Sequence, residues 1–236
     1  MSFRAIAVLL GVYTMHSMAQ APAPAAPPPV PADLSPLYVV TYVESRPNAR
    51  DDTAALLKGY RDASRASAGN LRSVVVQRVR RPGQFVVVAA WHNKAAWDAH
   101  MDAPQTKSFR EKLAGLRNAP ADDRFHSGFS VGPMDAPQMA GAVYGVTHVD
   151  VIPPQRENAQ NALKVLGEAN RGAAGNVRYE VQQQTNRPNH FTVFEVWRSR
   201  EVFDANTMSG HQREFRDKLG LWTGALYDDR LYETLD

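Results

Sequence analysis

Residues 37–44 form an unbroken apolar and β-branched run, Leu-Tyr-Val-Val-Thr-Tyr-Val-Glu, which predicts a strand covered on both faces and ended by Pro47. From Asp51 to Ala68 the apolar positions change to helical spacing at Leu56, Leu57, Tyr60 and Ala63. Gly69-Asn70 then supplies a stop of the C-cap kind. Strand patterning returns over Leu71–Val79 and Gln84–Trp91, around the hairpin signal Arg81-Pro82-Gly83. Ala95–Leu116 reads as a helix interrupted near Pro104, and Arg124–Val131 as a last strand. The resulting order, β-α-β-β-α-β, is the ferredoxin-like plan.

The chain then repeats this pattern. Tyr38-Val39-Val40-Thr41 falls on Tyr144-Gly145-Val146-Thr147, and an offset of 106 residues holds unchanged to Leu113 and Leu219. Gly69-Asn70 meets Gly175-Asn176, Arg81-Pro82 meets Arg187-Pro188, Trp91 meets Trp197, and Phe109-Arg110 meets Phe215-Arg216. About 27 of roughly 76 aligned positions are identical, a duplication of one domain-sized unit and not a solenoid. The second copy repeats the helices and strands, with Glu201–Trp222 as its later helical segment and Ala225–Leu235 as its last strand. In Phe85-Val86-Val87-Val88-Ala89-Ala90-Trp91 neither alternate set is polar, so the sheet has no wet face and needs cover on both sides. Two α+β units, 37–131 and 142–236, joined through a linker at 132–141, meet that need if their sheets pack face to face as an internal pseudo-dimeric α+β barrel.

Arg4, the apolar run Ala5–Tyr13 and small residues near Ala19 and Ala21 predict a secretory signal peptide over residues 1–20. At about ten residues the run is too short to span a bilayer, which takes roughly twenty. No stable membrane insertion is expected after cleavage, and the expected location is periplasmic or secreted. Residues 21–36, nearly all Ala and Pro, predict an extended spacer. The chain is 44% hydrophobic and 22% charged, in the range of folded globular protein. A net charge of +3 with scattered basic residues gives no nucleic-acid footprint. With no cysteine, disulfides, zinc–thiolate sites and thiol nucleophiles are excluded.

The strand, helix, Gly-Asn turn, Pro-containing hairpin and aromatic strand ending in Trp resemble the antibiotic biosynthesis monooxygenase family, whose signature is a strand ending Glu-x-Trp followed by a helix with one or two His. The second copy gives Phe194-Glu195-Val196-Trp197, then Asn206 at the first His position, His211 and Phe215. The first gives Ala89-Ala90-Trp91, His100, Gln105 and Phe109, so each half keeps part of the pattern. The resemblance implies cofactor-free oxidation of a quinol or related aromatic by molecular oxygen, with no metal, in a cavity between sheet and helices. Such a site needs an apolar pocket, a base and a donor for charge on oxygen. The residues available are Glu195, His148, His211 and His100 for catalysis, and Trp91, Trp197, Tyr42 and Asn206 for binding, with Arg72 or Arg178 as further polar partners. Glu195 stands where the repeat has Ala89, so the fold does not require it. The second half, with Glu195, Trp197, His211 and His148, is the expected seat of any chemistry. For both tryptophans plain packing is the favoured reading over substrate contact, and the paired arginines suit scaffold salt bridges as well as ligand binding. Arg110 and Arg216 stand where a haem-degrading relative carries its ligand His. The rival reading is a non-catalytic small-molecule-binding or interaction protein on the same scaffold.

Overall fold

A computed structural model describes residues 35–134, 139 and 141–235. The signal peptide expected at 1–20, nearly all of the spacer at 21–36 and part of the joint at 132–141 lie outside the described residues. The first half runs β1 (Leu37–Glu44), α1 (Arg50–Ala66), β2 (Asn70–Arg78), β3 (Arg81–Trp91), α2 (Lys94–Asp102), α3 (Pro104–Leu116) and β4 (Asp122–Ser130). The second runs β5 (Val143–Asp150), a 3-10 turn, α4 (Arg156–Arg171), β6 (Asn176–Gln184), β7 (His190–Trp197), α5 (Arg200–Thr207), α6 (Gly210–Leu219) and β8 (Leu231–Thr234). None of these helices is long and apolar enough to cross a membrane.

Pro104 breaks the later helix as its spacing predicts, standing at the first turn of α3 where a missing N–H costs nothing. Three local expectations are corrected. Helix α1 ends at Ala66, before the Gly-Asn pair. Gly69 instead takes φ 78° in the turn to β2, where a Cβ would stand 2.6 Å from Ala96, and Gly175 repeats this against Val202. These glycines admit the next helix and do not cap the one before. The tight turn of the first hairpin is Val79-Arg80, with Arg80 at φ 62°, and Pro82 lies on β3. The last strand is short, Leu231–Thr234 only.

Among the described residues the strands close into one barrel in the order β1-β3-β2-β8-β5-β7-β6-β4. Each half's final strand crosses to the other half, β4 pairing with β6 and β8 with β2, which leaves no free edge. Even-numbered side chains of β1, β3, β5 and β7, among them Val40, Val86, Val88, Val146 and Phe194, fill the barrel. Odd-numbered ones, among them Val43, Phe85, Val87, Phe191, Val193 and Trp197, pack outward beneath the helices. Hence neither parity is polar.

One charged group crosses the halves inside the barrel. Arg72 on β2 donates to both oxygens of Glu180 on β6, at 2.6 and 2.7 Å, and Arg178 donates to Glu180 at 2.5 Å. Glu180 is fully buried, and burial alone would raise its pKa. The two guanidiniums win, holding the carboxyl below its ordinary range. Position 74, the repeat partner of Glu180, is Val, so the group belongs to the fused chain and not to each unit.

Candidate functional site

In the first half, a cavity of about 90 Å³ lies between the outer sheet face and the helices. Leu57 and Tyr60 of α1, Trp97 and Met101 of α2, Phe109 and Leu113 of α3 and Val43 and Val87 of the sheet form its apolar wall. Thr41, Arg110, Arg117 and Asp123 form a polar end, beside Ala121. There Thr41 Oγ1 donates to Asp123 Oδ1 at 2.7 Å, and Arg110 Nη1 reaches Asp123 Oδ2 at 3.5 Å. Tyr60 stacks on Phe109 with centroids 4.0 Å apart.

Behind Tyr60 stands His100. It is 3% exposed, held by helix α2 against α1, with its ring 4.7 Å from that of Trp91. Ser67 donates its hydroxyl to Ala63 O, so the 3.0 Å contact between Ser67 Oγ and His100 Nδ1 requires that Nδ1 carry the proton. His100 Nε2 is then an acceptor for the Tyr60 hydroxyl at 3.2 Å. Desolvation lowers the His100 pKa, which keeps the ring neutral at pH 7, and burial raises Tyr60 to about 12. His100 thus reaches the cavity through Tyr60, as a proton acceptor one hydroxyl removed.

Elsewhere beneath the helices the two halves differ at three neighbouring strand positions. Glu195, in register with Gly145 and Tyr179, accepts a 2.7 Å hydrogen bond from Trp197 Nε1. Burial raises its pKa to about 7, against the pull of that bond. The first-half counterparts are Ala89, Val39 and Ser73, and there Trp91 Nε1 and Ser73 Oγ are buried with no partner among the described residues. A Cβ on Gly145 would stand 2.6 Å from Glu195 Cγ, so the pair Gly145/Glu195 exchanges bulk with Val39/Ala89. Gly145→Val alone should therefore destabilise by about 1–3 kcal/mol through overpacking. Combined with Glu195→Ala it should recover most of that loss, a coupling readable by urea denaturation of the four chains of the cycle. Additive losses would show that the two positions do not share space.

The expected site residues do not form one site. Glu195 and Trp197 face the helices, whereas His148, on an even position of β5, lines a polar cavity of about 490 Å³ at one end of the barrel with Arg124, Arg187 and Arg230. Its Nε2 lies 3.1 Å from His190 Nδ1, and burial, Arg124 and His190 lower its pKa to about 4. Tyr42 shares this end of the barrel, its ring 4.6 Å beneath Arg124 Cζ. Asn206 and His211 form a third group: Asn206 Nδ2 donates to Asn170 Oδ1 at 2.7 Å, and His211 Nε2 lies 3.2 Å from both Asn170 Oδ1 and Asn206 Oδ1. His211 lines a shallow groove outside the helices. Trp91 and Trp197 are fully buried beneath those helices. Among the expected residues only His100 approaches the first-half cavity, through Tyr60. No three His, Asp or Glu side chains converge as metal ligands among the described residues.

The sequence did not single out Thr41, Tyr60, Asp123 or Ala121 as site residues, and it left Arg110 open between scaffold salt bridge and ligand contact. A signal existed: Thr41 and Thr147, Asp123 and Asp229, and Arg110 and Arg216 keep the 106-residue offset, and the same contacts form in both halves.

Comparison with known proteins agrees with this architecture. The sequence profile described as antibiotic biosynthesis monooxygenase matches residues 36–112 and again 142–218. An uncharacterized protein of Synechocystis sp. is 23% identical over 123 residues, 52% of this chain and 84% of its own. A proposed monooxygenase from Lactobacillus acidophilus superposes with TM-score 0.71 at 15% identity, over 86% of this chain and 95% of its own. One from Fusobacterium nucleatum gives 0.75 at 12% identity, over 86% and 93%. An anthrone oxidase-like protein gives 0.65 at 12%, over 87% and 93%. At these identities the structural matches establish a shared fold.

Proposed function

This chain belongs to the antibiotic biosynthesis monooxygenase family, and on that premise we propose that its first-half cavity oxidises a quinol or related phenol with molecular oxygen, without flavin or metal. The family supports a monooxygenase-like or small-molecule-binding role. The observation that favours the first half is the cavity between sheet and helices, with aromatic walls and a Thr41–Asp123–Arg110 polar end. Asp123 takes the phenolic proton, and Arg110 stabilises the phenolate that forms. The phenolate reduces oxygen: one oxygen atom enters the ring, the other leaves as water, and the quinol supplies all four electrons. Tyr60, whose hydroxyl donates to the neutral His100 ring, presents an oxygen lone pair to the cavity and can pass a proton on to His100 Nε2. The apolar segment after Arg4 supports a reading in which the chain is exported and the reaction runs outside the cytoplasm.

The test is oxygen uptake by the purified chain with a panel of quinols, against buffer autoxidation. Uptake should need no added flavin or metal and should fall about 10²–10⁴-fold in Asp123→Asn, the range for removing a general base. Uptake lost in Glu195→Gln but kept in Asp123→Asn would move the site to the second half. Thermal stabilisation by the same quinols without uptake would leave a small-molecule-binding protein on this scaffold.

A further inference from the structure

The two halves differ at the cavity by a side chain that reads as its occupant. Position 121 is Ala, and its repeat partner, position 227, is Tyr. Around Tyr227 stand the counterparts of the first-half wall. Phe215 meets its ring edge to face, with centroids 6.4 Å apart. Arg216 Cζ lies 4.7 Å from the Tyr227 ring centroid. The Tyr227 hydroxyl hydrogen-bonds with the Thr147 side chain, and Thr147 donates to Asp229 at 3.3 Å. Arg216 also donates to Asp229, at 3.2 Å. In the first half Phe109, Arg110, Thr41 and Asp123 surround the cavity instead.

We infer that Tyr227 is a built-in ligand: the second half retains a phenol-binding site occupied by its own side chain, and the empty first-half site takes a para-substituted single-ring phenol in the same pose. The ligand hydroxyl lies against Thr41 and Asp123, and its ring lies beneath Arg110 with its edge towards Phe109. The inference rests on reading the first-half cavity as the binding site, and it adds the ligand class, the pose and a latent second site. The contacts are those a buried phenol requires: a guanidinium over the ring face and polar partners for a hydroxyl that cannot be left unpaired.

Cavity size sets the ligand class. About 90 Å³ is less than the roughly 150 Å³ that seats a benzene ring. Its wall is bulky where Trp97 and Met101 stand in place of the Phe203 and Thr207 of the second half. Met101, an unbranched and adaptable thioether on that wall, is the side chain that would have to turn aside to admit one ring.

The probe is p-cresol, which is the tyrosine side chain as a free molecule, followed by calorimetric titration and thermal melting. The wild-type chain should bind one p-cresol. Ala121→Tyr, which supplies the first half with its own phenol, should weaken that binding at least tenfold. Tyr227→Ala should melt about 10 °C lower, as expected for emptying an aromatic site in a chain of this size. It should then bind two p-cresol molecules and regain part of the lost melting temperature, whereas Tyr227→Phe, which keeps the ring, should still bind one. Unchanged binding in Ala121→Tyr would overturn the inference, as would a folded Tyr227→Ala that binds no more than the wild type. Equal binding of 4-methylcyclohexanol would also overturn it, since that ligand offers no ring face to arginine. Two bound p-cresol molecules in Tyr227→Ala with no oxygen uptake would sink the oxidation and keep this inference. Oxygen uptake with one bound p-cresol would do the reverse.

Discussion

Replacing Glu180 with Ala should cost about 3–5 kcal/mol, the range for breaking a buried ion pair by removing one partner. The side chains of Arg72 and Arg178 are only 10% and 5% exposed, so the substitution strands two guanidiniums in the barrel without their counter-ion. For a folded unit of about 200 residues that corresponds to a fall of roughly 10 °C or more in melting temperature. Replacing all three charges together, with Arg72→Met, Glu180→Val and Arg178→Leu, should be far milder, because no charge is left to desolvate. A large loss in the triple variant as well would mean that the network contributes net stability. The sign of the pH effect follows from the depressed folded-state pKa of Glu180. Its contribution is present above the ordinary carboxylate range and disappears as pH falls through the folded value. Because Arg72 and Glu180 come from different halves, the same substitution should loosen their association and not merely one unit.

The pH dependence of stability should carry a second large signature, opposite in sign, from Glu195. Its pKa rises from 4.5 to about 7 on folding, chiefly through burial, so the unfolded chain releases this proton more readily than the folded one. The stabilising contribution is complete below pH 4.5 and is lost as pH rises through about 7. A shift of that size corresponds to about 3 kcal/mol. The stability of the wild type minus that of Glu195→Gln should therefore decline by about 3 kcal/mol between pH 4.5 and 8, measured by urea denaturation at each pH. Gln retains an oxygen for the Trp197 N–H and carries no charge, so at pH 8 the variant should gain on the wild type. A pH-independent difference would show that Glu195 ionises as freely in the folded chain as in the unfolded one.

The two buried glutamates show why residues of one type, both on strands of the second half, need opposite accounts. Glu180 points into the barrel between two arginines. Glu195 points beneath the helices, with one indole N–H as its hydrogen-bond donor. In the sequence Glu195 stood out as a half-buried carboxylate absent from the repeat, but the same test applied to Glu180 and Val74 would have marked Glu180 as well. Arg178 lies two residues from Glu180 on the same strand, whereas Arg72 is brought to it only by a strand of the other half.

The hydrophobic pattern alone carried the duplication, the strand and helix order, the Pro104 break and the need for cover on both sheet faces. These are local periodicities, or comparisons of the chain with itself, and they do not depend on which strands become neighbours. Tertiary structure decided which side chains meet. Strand parity sent His148 and Tyr42 into the barrel while Glu195 and Trp197 faced the helices, so residues close in the motif became separated by a sheet. Packing also set where space remains. Ala121 leaves room in the first half where the second half has Tyr227, and a cavity is a property of what faces it from several elements at once. The sequence by itself therefore determined the scaffold and its twofold plan, whereas the residues around the cavity were set only when distant strands and helices closed on one another.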